Sequence, residues 1–297
     1  MIHVTLVRTD IHDMLLAQMM NALSPAERAR AARFRTAADR RRHVVARTVL
    51  KSLLAEQLDV QAQDVQLSVG AYGKPVLVRH GYDAHLQYGA RASMPNAAPA
   101  HLSSVHTFDA LHFNLSHSGD LALIALAPVP VGIDLERDTP ADANALVQAW
   151  FTPAEQGRLA RGDDDFLSLW TAREAVLKAV GTGLSADPAA FSLPSQKSTT
   201  MQSASGLPQF EPVQIPAASA GSEFQGYIVA ALALDAAQAN AHAAIPPTLI
   251  APYRAAIALR GAALPVQLHY ADAARFSPRV TLDALAPASA DAMCVLS

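Results

Sequence analysis

A chain of 297 residues with 51% hydrophobic residues, 6% aromatics and a formal net charge of -3 can bury a substantial core, as one large domain or two of ordinary size. Much of its apolar content is alanine, its longest apolar run (LALIALAPVPVGI) is too short for a bilayer and holds two prolines, and its start, MIHVTLVRTDIHD, lacks a signal-peptide pattern, so a globular cytoplasmic protein without membrane association follows. The acidic balance argues against a general nucleic-acid binder, and the single cysteine, Cys294, excludes an intrachain disulfide framework and a thiolate metal cluster.

In chain order, the first predicted element is a helix in LSPAERARAARFR, where Ser24, Pro25 and Glu27 form a capping box. A second, longer helix carries ARTVLKSLL at Ala46 to Leu54, and a strand follows near DVQLS at Asp64. Residues 79–110 hold scattered Gly, Pro, Asn and Ser and read as a linker. Their histidines, His80, His85, His101 and His106, match no standard metal spacing and read as loop residues. LHFNLSHSGDLALIAL then alternates around a polar tip, Ser116-His117-Ser118-Gly119, suited to phosphate or simply to a turn.

The strand VPVGIDLER comes next. Its period of two puts Ile133 and Leu135 on the core face and the like-charged Asp134 and Glu136 together on the other. That pair needs solvent, a basic partner such as Arg137, or a hard divalent cation. FTPAEQGRLAR repeats the capping box with Thr152, Pro153 and Glu155, 128 positions after the first. In DDDFLSLWTAREAVLKAVGTGLS, Phe166, Leu169, Trp170, Leu177 and Val180 recur at helical spacing, with Gly181 as terminator. Glu174 and Lys178 form either an i,i+4 helix pair or part of a site. AREAVLKAV echoes ARTVLKSLL, and AFSLP echoes DVQLS, each 126 positions on. Three echoes in the same order predict two similar α+β halves related by a pseudo-twofold. A loose Ser-rich segment from Ser195 precedes the strand-like FQGYIVAALAL, and the Ala- and Pro-rich chain beyond 235 reads as an extension without assigned role. The expected divisions are residues 1–110, 111–235 and 236–297.

Arginine is the habitual cation of this chain. Only Lys51, Lys74, Lys178 and Lys197 are lysines, and a compact ammonium meets phosphate as a point charge. The terminal CVLS fits a prenylation pattern, but no basic cluster precedes it and the match reads as coincidence.

The ordered set YGKP (Tyr72 to Pro75), FNLSHS (Phe113 to Ser118), GIDLE (Gly132 to Glu136), FTPAE and WTAREAVLKAVGTGLS (Trp170 to Ser185) resembles the Sfp-like 4'-phosphopantetheinyl transferases, over about Leu23 to Asp235. The resemblance implies a two-half, monomeric enzyme that moves 4'-phosphopantetheine from coenzyme A to a serine of an acyl or peptidyl carrier protein, releasing 3',5'-ADP. It further implies that Asp134, Glu136 and Glu174 hold Mg²⁺, or Mn²⁺, against the coenzyme diphosphate, with Glu174 and Lys178 catalytic. Lys74, Ser116 and His117 would hold the 3'-phosphate and adenosine end, assisted by Arg30, Arg42 and Arg47. Glu155 is either near the metal or only a helix cap. Rival readings are a non-catalytic module binding coenzyme A or a carrier domain, and a Mg²⁺-dependent phosphohydrolase.

Overall fold

The computed structural model describes residues 1–70, 72–78, 111–138, 143–187, 190–196, 208–215, 222–235, 241–243 and 245–277. The expected linker histidines, the terminal CVLS and Lys197 lie outside the described residues. The chain is of mixed α+β character, built around two four-stranded sheets.

The first sheet contains β1 (Ile2–Arg8), β4 (His112–Ser118), β5 (Leu121–Ala127) and β10 (Val266–Ala271), in the order β10-β1-β5-β4. The second contains β6 (Val131–Arg137), β7 (Glu211–Pro212), β8 (Tyr227–Ala231) and β9 (Tyr253–Arg260), in the order β6-β9-β8-β7. A small hairpin joins β2 (Leu67–Val69) to β3 (Pro75–Leu77). The helices are α1 (Asp13–Ala22), α2 (Pro25–Ala32), α3 (Ala37–Leu58), α4 (Ala143–Trp150), α5 (Pro153–Ala160), α6 (Phe166–Val180) and a short α7 (Pro247–Ile250). None of the described helices is long and apolar enough to cross a membrane.

Alternation within the strands sets the layers. Ile2, Val4, Leu6, Leu121 and Leu123 of the first sheet meet Val131, Ile133, Leu135, Ile257 and Leu259 of the second in one core. The opposite faces are covered by the long helices. Ile124 and Leu126 pack on Val45, Val49 and Leu50 of α3, and Ala256, Ala258 and Val229 pack on Ala172, Val176 and Leu177 of α6. Each half is thus a sheet with one long helix on its outer face.

The two capping boxes form as expected, and each has a further role. Glu27 caps α2 through the Ser24 amide (2.9 Å) and reaches Arg47 (2.9 Å) and Lys51 (3.3 Å) of α3. Glu155 caps α5 through the Thr152 amide (2.7 Å) and receives two bonds from Arg173 of α6, at 2.7 and 2.8 Å, plus the Leu193 amide at 2.8 Å. The echoed Glu and Arg therefore fasten the short helix to the long one in both halves. Both side chains of the Glu155–Arg173 pair are fully buried.

Two expectations about the divisions differ from the strand pairing. Strands β4 and β5 were assigned to the second half by a boundary at 110, yet they complete the sheet of β1. Residues 245–277 are no appendage, because β9 is inserted between β6 and β8, and β10 pairs in parallel with β1. The Ala-rich run YRAAIALR shows little alternation because a strand buried on both faces needs small apolar residues on each. The N-terminal stretch, read only for what it lacks, forms strand β1.

Candidate active site

The site lies where the sheets meet edge to edge. Strands β4 and β6 run alongside each other, stitched by side chains. Asn114 Oδ1 accepts the Ile133 amide (3.0 Å), Ser116 Oγ donates to Asp134 Oδ1 (2.8 Å), and Ser118 Oγ donates to Glu136 Oε2 (2.9 Å) while accepting the Arg137 amide (3.1 Å). Asn114, Ser116 and Ser118 are spaced by two, so they share one side of β4. The serines read as phosphate hydroxyls from the sequence are here engaged with the acidic strand. His117, of opposite parity, lines a cavity of about 190 Å³ with Arg30, His43, Arg47, Gly73 and Pro75.

Gly132 explains how α6 comes over the acids. A Cβ there would stand 2.0 Å from the Ala175 carbonyl oxygen and 2.3 Å from the Ala179 nitrogen, so only glycine admits the helix backbone. The helix begins at Asp165, which accepts the Ser168 amide, and ends at Gly181 with φ 94°, in the left-handed region. That placement carries Glu174 and Lys178 to Asp134. Lys178 Nζ lies 2.5 Å from Asp134 Oδ1 on β6, the strand α6 covers, and 3.0 Å from Ser116 Oγ on β4 of the other sheet, so its bonds run off its own helix and one of them crosses between the halves.

Asp134 is not on a solvated edge. It is 1% exposed, and its Oδ2 is buried without a hydrogen-bond partner among the described residues. Burial raises the pKa of Glu136, reinforced by Asp134 and Glu174 against the opposing pull of Ser118 and Lys178. Glu174 is raised by burial and by Asp134, with Lys178 opposing. The three carboxylates thus feel one another. Among the described residues no group of three His, Cys, Asp or Glu stands ready to hold a metal ion, and the Lys178 ammonium instead neutralises Asp134 directly.

The remaining expected residues fall at the rim. Lys74, at the start of β3, donates to the Lys178 carbonyl oxygen (2.7 Å), tying the hairpin to the end of α6. Burial lowers its pKa to about 8. Arg42 donates to the Gly119 carbonyl oxygen (2.8 Å) and pairs with Asp39. Arg47 lines the cavity but commits its Nε to Glu27. Sequence reasoning passed over His43, whose pKa burial lowers to about 4, helped by Arg47, Arg30 and His117. Its signal was legible: four residues before Arg47, it shares that face of α3.

The family model described as 4'-phosphopantetheinyl transferase, N-terminal matches residues 12–129, and that of the 4'-phosphopantetheinyl transferase superfamily matches 130–231. The two meet between β5 and β6, where the sheets part. The chain is 26% identical to 4'-phosphopantetheinyl transferase Sfp of Bacillus subtilis, over 59% of this chain and 68% of that protein. It is 32% identical to 4'-phosphopantetheinyl transferase HetI of Nostoc sp., over 62% of this chain and 70% of that one. A mouse relative, L-aminoadipate-semialdehyde dehydrogenase-phosphopantetheinyl transferase, is 25% identical over 56% of this chain and 50% of its own. With two matching models that together span most of the molecule and a relative of this identity and coverage, the chain belongs to the 4'-phosphopantetheinyl transferase superfamily, of the Sfp-like type.

Proposed function

We propose that the protein transfers the 4'-phosphopantetheine group of coenzyme A to a serine hydroxyl of an acyl or peptidyl carrier protein, acting as a cytoplasmic monomer with Mg²⁺ (or Mn²⁺) held by Asp134, Glu136 and Glu174. The observation that carries the metal assignment is the buried, unpartnered Oδ2 of Asp134, beside Glu136 and Glu174, whose pKa values are raised by burial and further by the Asp134 charge. Donors that are all oxygen suit a hard ion. Such an ion supplies neutralisation of charge on the diphosphate.

The residues of the chain supply the rest. Lys178, already at Asp134 and Ser116, steadies phosphate oxygens as a point charge. Glu174 accepts the proton of the attacking hydroxyl, a task favoured by a pKa that burial raises above the ordinary carboxylate value. The serine oxygen forms its bond to the phosphorus that bears pantetheine, and the bond to 3',5'-ADP breaks. His117 and Arg30, which line the small cavity, and Lys74, whose chain neighbours Gly73 and Pro75 line it, receive the 3'-phosphate and adenosine end. Arg42 and Arg47 act one step back, through Gly119 and Glu27.

Intact-mass measurement of a carrier protein incubated with the enzyme, coenzyme A and Mg²⁺ tests this. Transfer adds phosphopantetheine to the carrier. An unmodified carrier with hydrolysed coenzyme A would favour a phosphohydrolase, and one with intact coenzyme A a binding module.

A further inference from the structure

The β4–β5 turn, residues 119–120, directly follows Ser116, His117 and Ser118 at the end of β4, and its peptide groups are gripped from two sides. The Gly119 carbonyl oxygen accepts from Arg42 of α3 at 2.8 Å. The next amide, Asp120 N–H, donates to the hydroxyl of Tyr253 at 2.9 Å. Tyr253 opens β9 in the other sheet, opposite Arg137, and is only 4% exposed. The fit is close. Gly119 has φ 52°, and a Cβ on it would stand 2.2 Å from the Tyr253 hydroxyl and 2.8 Å from Arg137 Cδ, so glycine is required by conformation and by space.

We propose that Tyr253 is a positioning residue for the coenzyme: its hydroxyl fixes the 119–120 peptide and thereby places His117 against the cavity. The inference rests on the reading of that cavity as the coenzyme end of the site. Tyr253 touches neither Asp134 nor Glu136 through the contacts described. Those acids are held by the β6–β9 ladder, where Asp134 faces Ala256 and Glu136 faces Arg254. Loss of the hydroxyl therefore loosens the turn beyond Ser118, while Asp134 and Glu136 keep their register against β9 and their bonds from Ser116 and Ser118. An amide left without its acceptor is destabilised, and the site recovers part of that loss by relaxing.

The test is Tyr253→Phe in the full chain, with KM for coenzyme A, kcat at saturating carrier protein, and exchange of the Asp120 amide. We expect KM to rise roughly 3- to 10-fold, the size of one lost hydrogen bond, with kcat within about twofold of wild type. The Asp120 amide should exchange faster. An unchanged KM, or a loss confined to kcat, overturns the proposal. Gly119→Ala gives an independent arm: it should raise KM in the wild-type background, and raise it less when Tyr253→Phe has removed the clashing oxygen. Equal added effects in both backgrounds also overturn it. Wild-type protein that fails to bind coenzyme A or to modify a carrier would instead sink the underlying functional reading.

Discussion

Lys178 Nζ sits 2.5 Å from Asp134 Oδ1, joining helix α6 to the strand it covers, while the second oxygen of the same carboxylate has no hydrogen-bond partner among the described residues. The lysine is 28% exposed and the aspartate 1%, so the pair spans the boundary between protein interior and solvent. An ammonium on one oxygen and a bare second oxygen describe a carboxylate with capacity for a further cation.

Lys178→Arg should fold normally and lose most of its turnover. If lysine served only as an i,i+4 partner of Glu174, arginine would replace it well. The ammonium instead touches Ser116 and Asp134 together, a pair of contacts that a larger planar guanidinium would meet with its charge displaced, and a misplacement of 1 Å costs on the order of 100-fold. Steady-state transfer beside a thermal melt measures both. Full kcat with a lowered melting temperature would remove Lys178 from the site.

Asp134→Asn should reduce transfer on the order of 100-fold or more while shifting the melting temperature by no more than about 4 °C. Two effects on stability oppose each other. The Lys178 pair is lost, and the charge that raises the pKa of Glu136 and Glu174 disappears. Near-wild-type transfer would refute the assignment of Asp134.

Glu155→Ala should act on folding. Its carboxylate caps α5 and pairs with a fully buried Arg173, and stripping one partner from a buried ion pair costs about 3 to 5 kcal/mol. Chemical denaturation reads this directly, and Glu155→Leu combined with Arg173→Met should recover much of the loss. A stable Glu155→Ala variant without transfer would move Glu155 into the metal site.

Much of this arrangement was legible before any coordinates. Period two placed Ile133 and Leu135 in the core with Asp134 and Glu136 opposite, and both capping boxes form as Ser24, Glu27, Thr152 and Glu155 suggested. Other features depend on chain pairing at a distance, which local pattern does not encode. Lys178 meets Asp134 only because Gly132 admits α6, and the buried partners of Glu27 and Glu155 lie one helix further along the chain. Strand β9 escaped notice because Tyr253–Arg260 is sandwiched between the opposite sheet and α6, and its alanines leave no polar face to mark an alternation.

Affinity for coenzyme A should weaken as pH rises through about 8, where Lys74 loses its proton in the free protein. Burial lowers its pKa to about 8 from 10.5, so the ammonium proposed to receive phosphate is present below that value and lost above it. Titration calorimetry between pH 7 and 9 measures the trend. Lys74→Arg, charged throughout, should flatten it; an equally steep slope in that variant would show that another group titrates.

The dependence of carrier-protein transfer on divalent cation is the most direct test of the central claim, that Asp134, Glu136 and Glu174 act through a hard ion on the coenzyme diphosphate. Initial rates measured across a Mg²⁺ titration, and in excess EDTA, should show saturable activation in the wild type, abolition by EDTA, restoration by Mg²⁺ or Mn²⁺, and little activation of Asp134→Asn at any concentration. Undiminished wild-type turnover in excess EDTA would contradict the account.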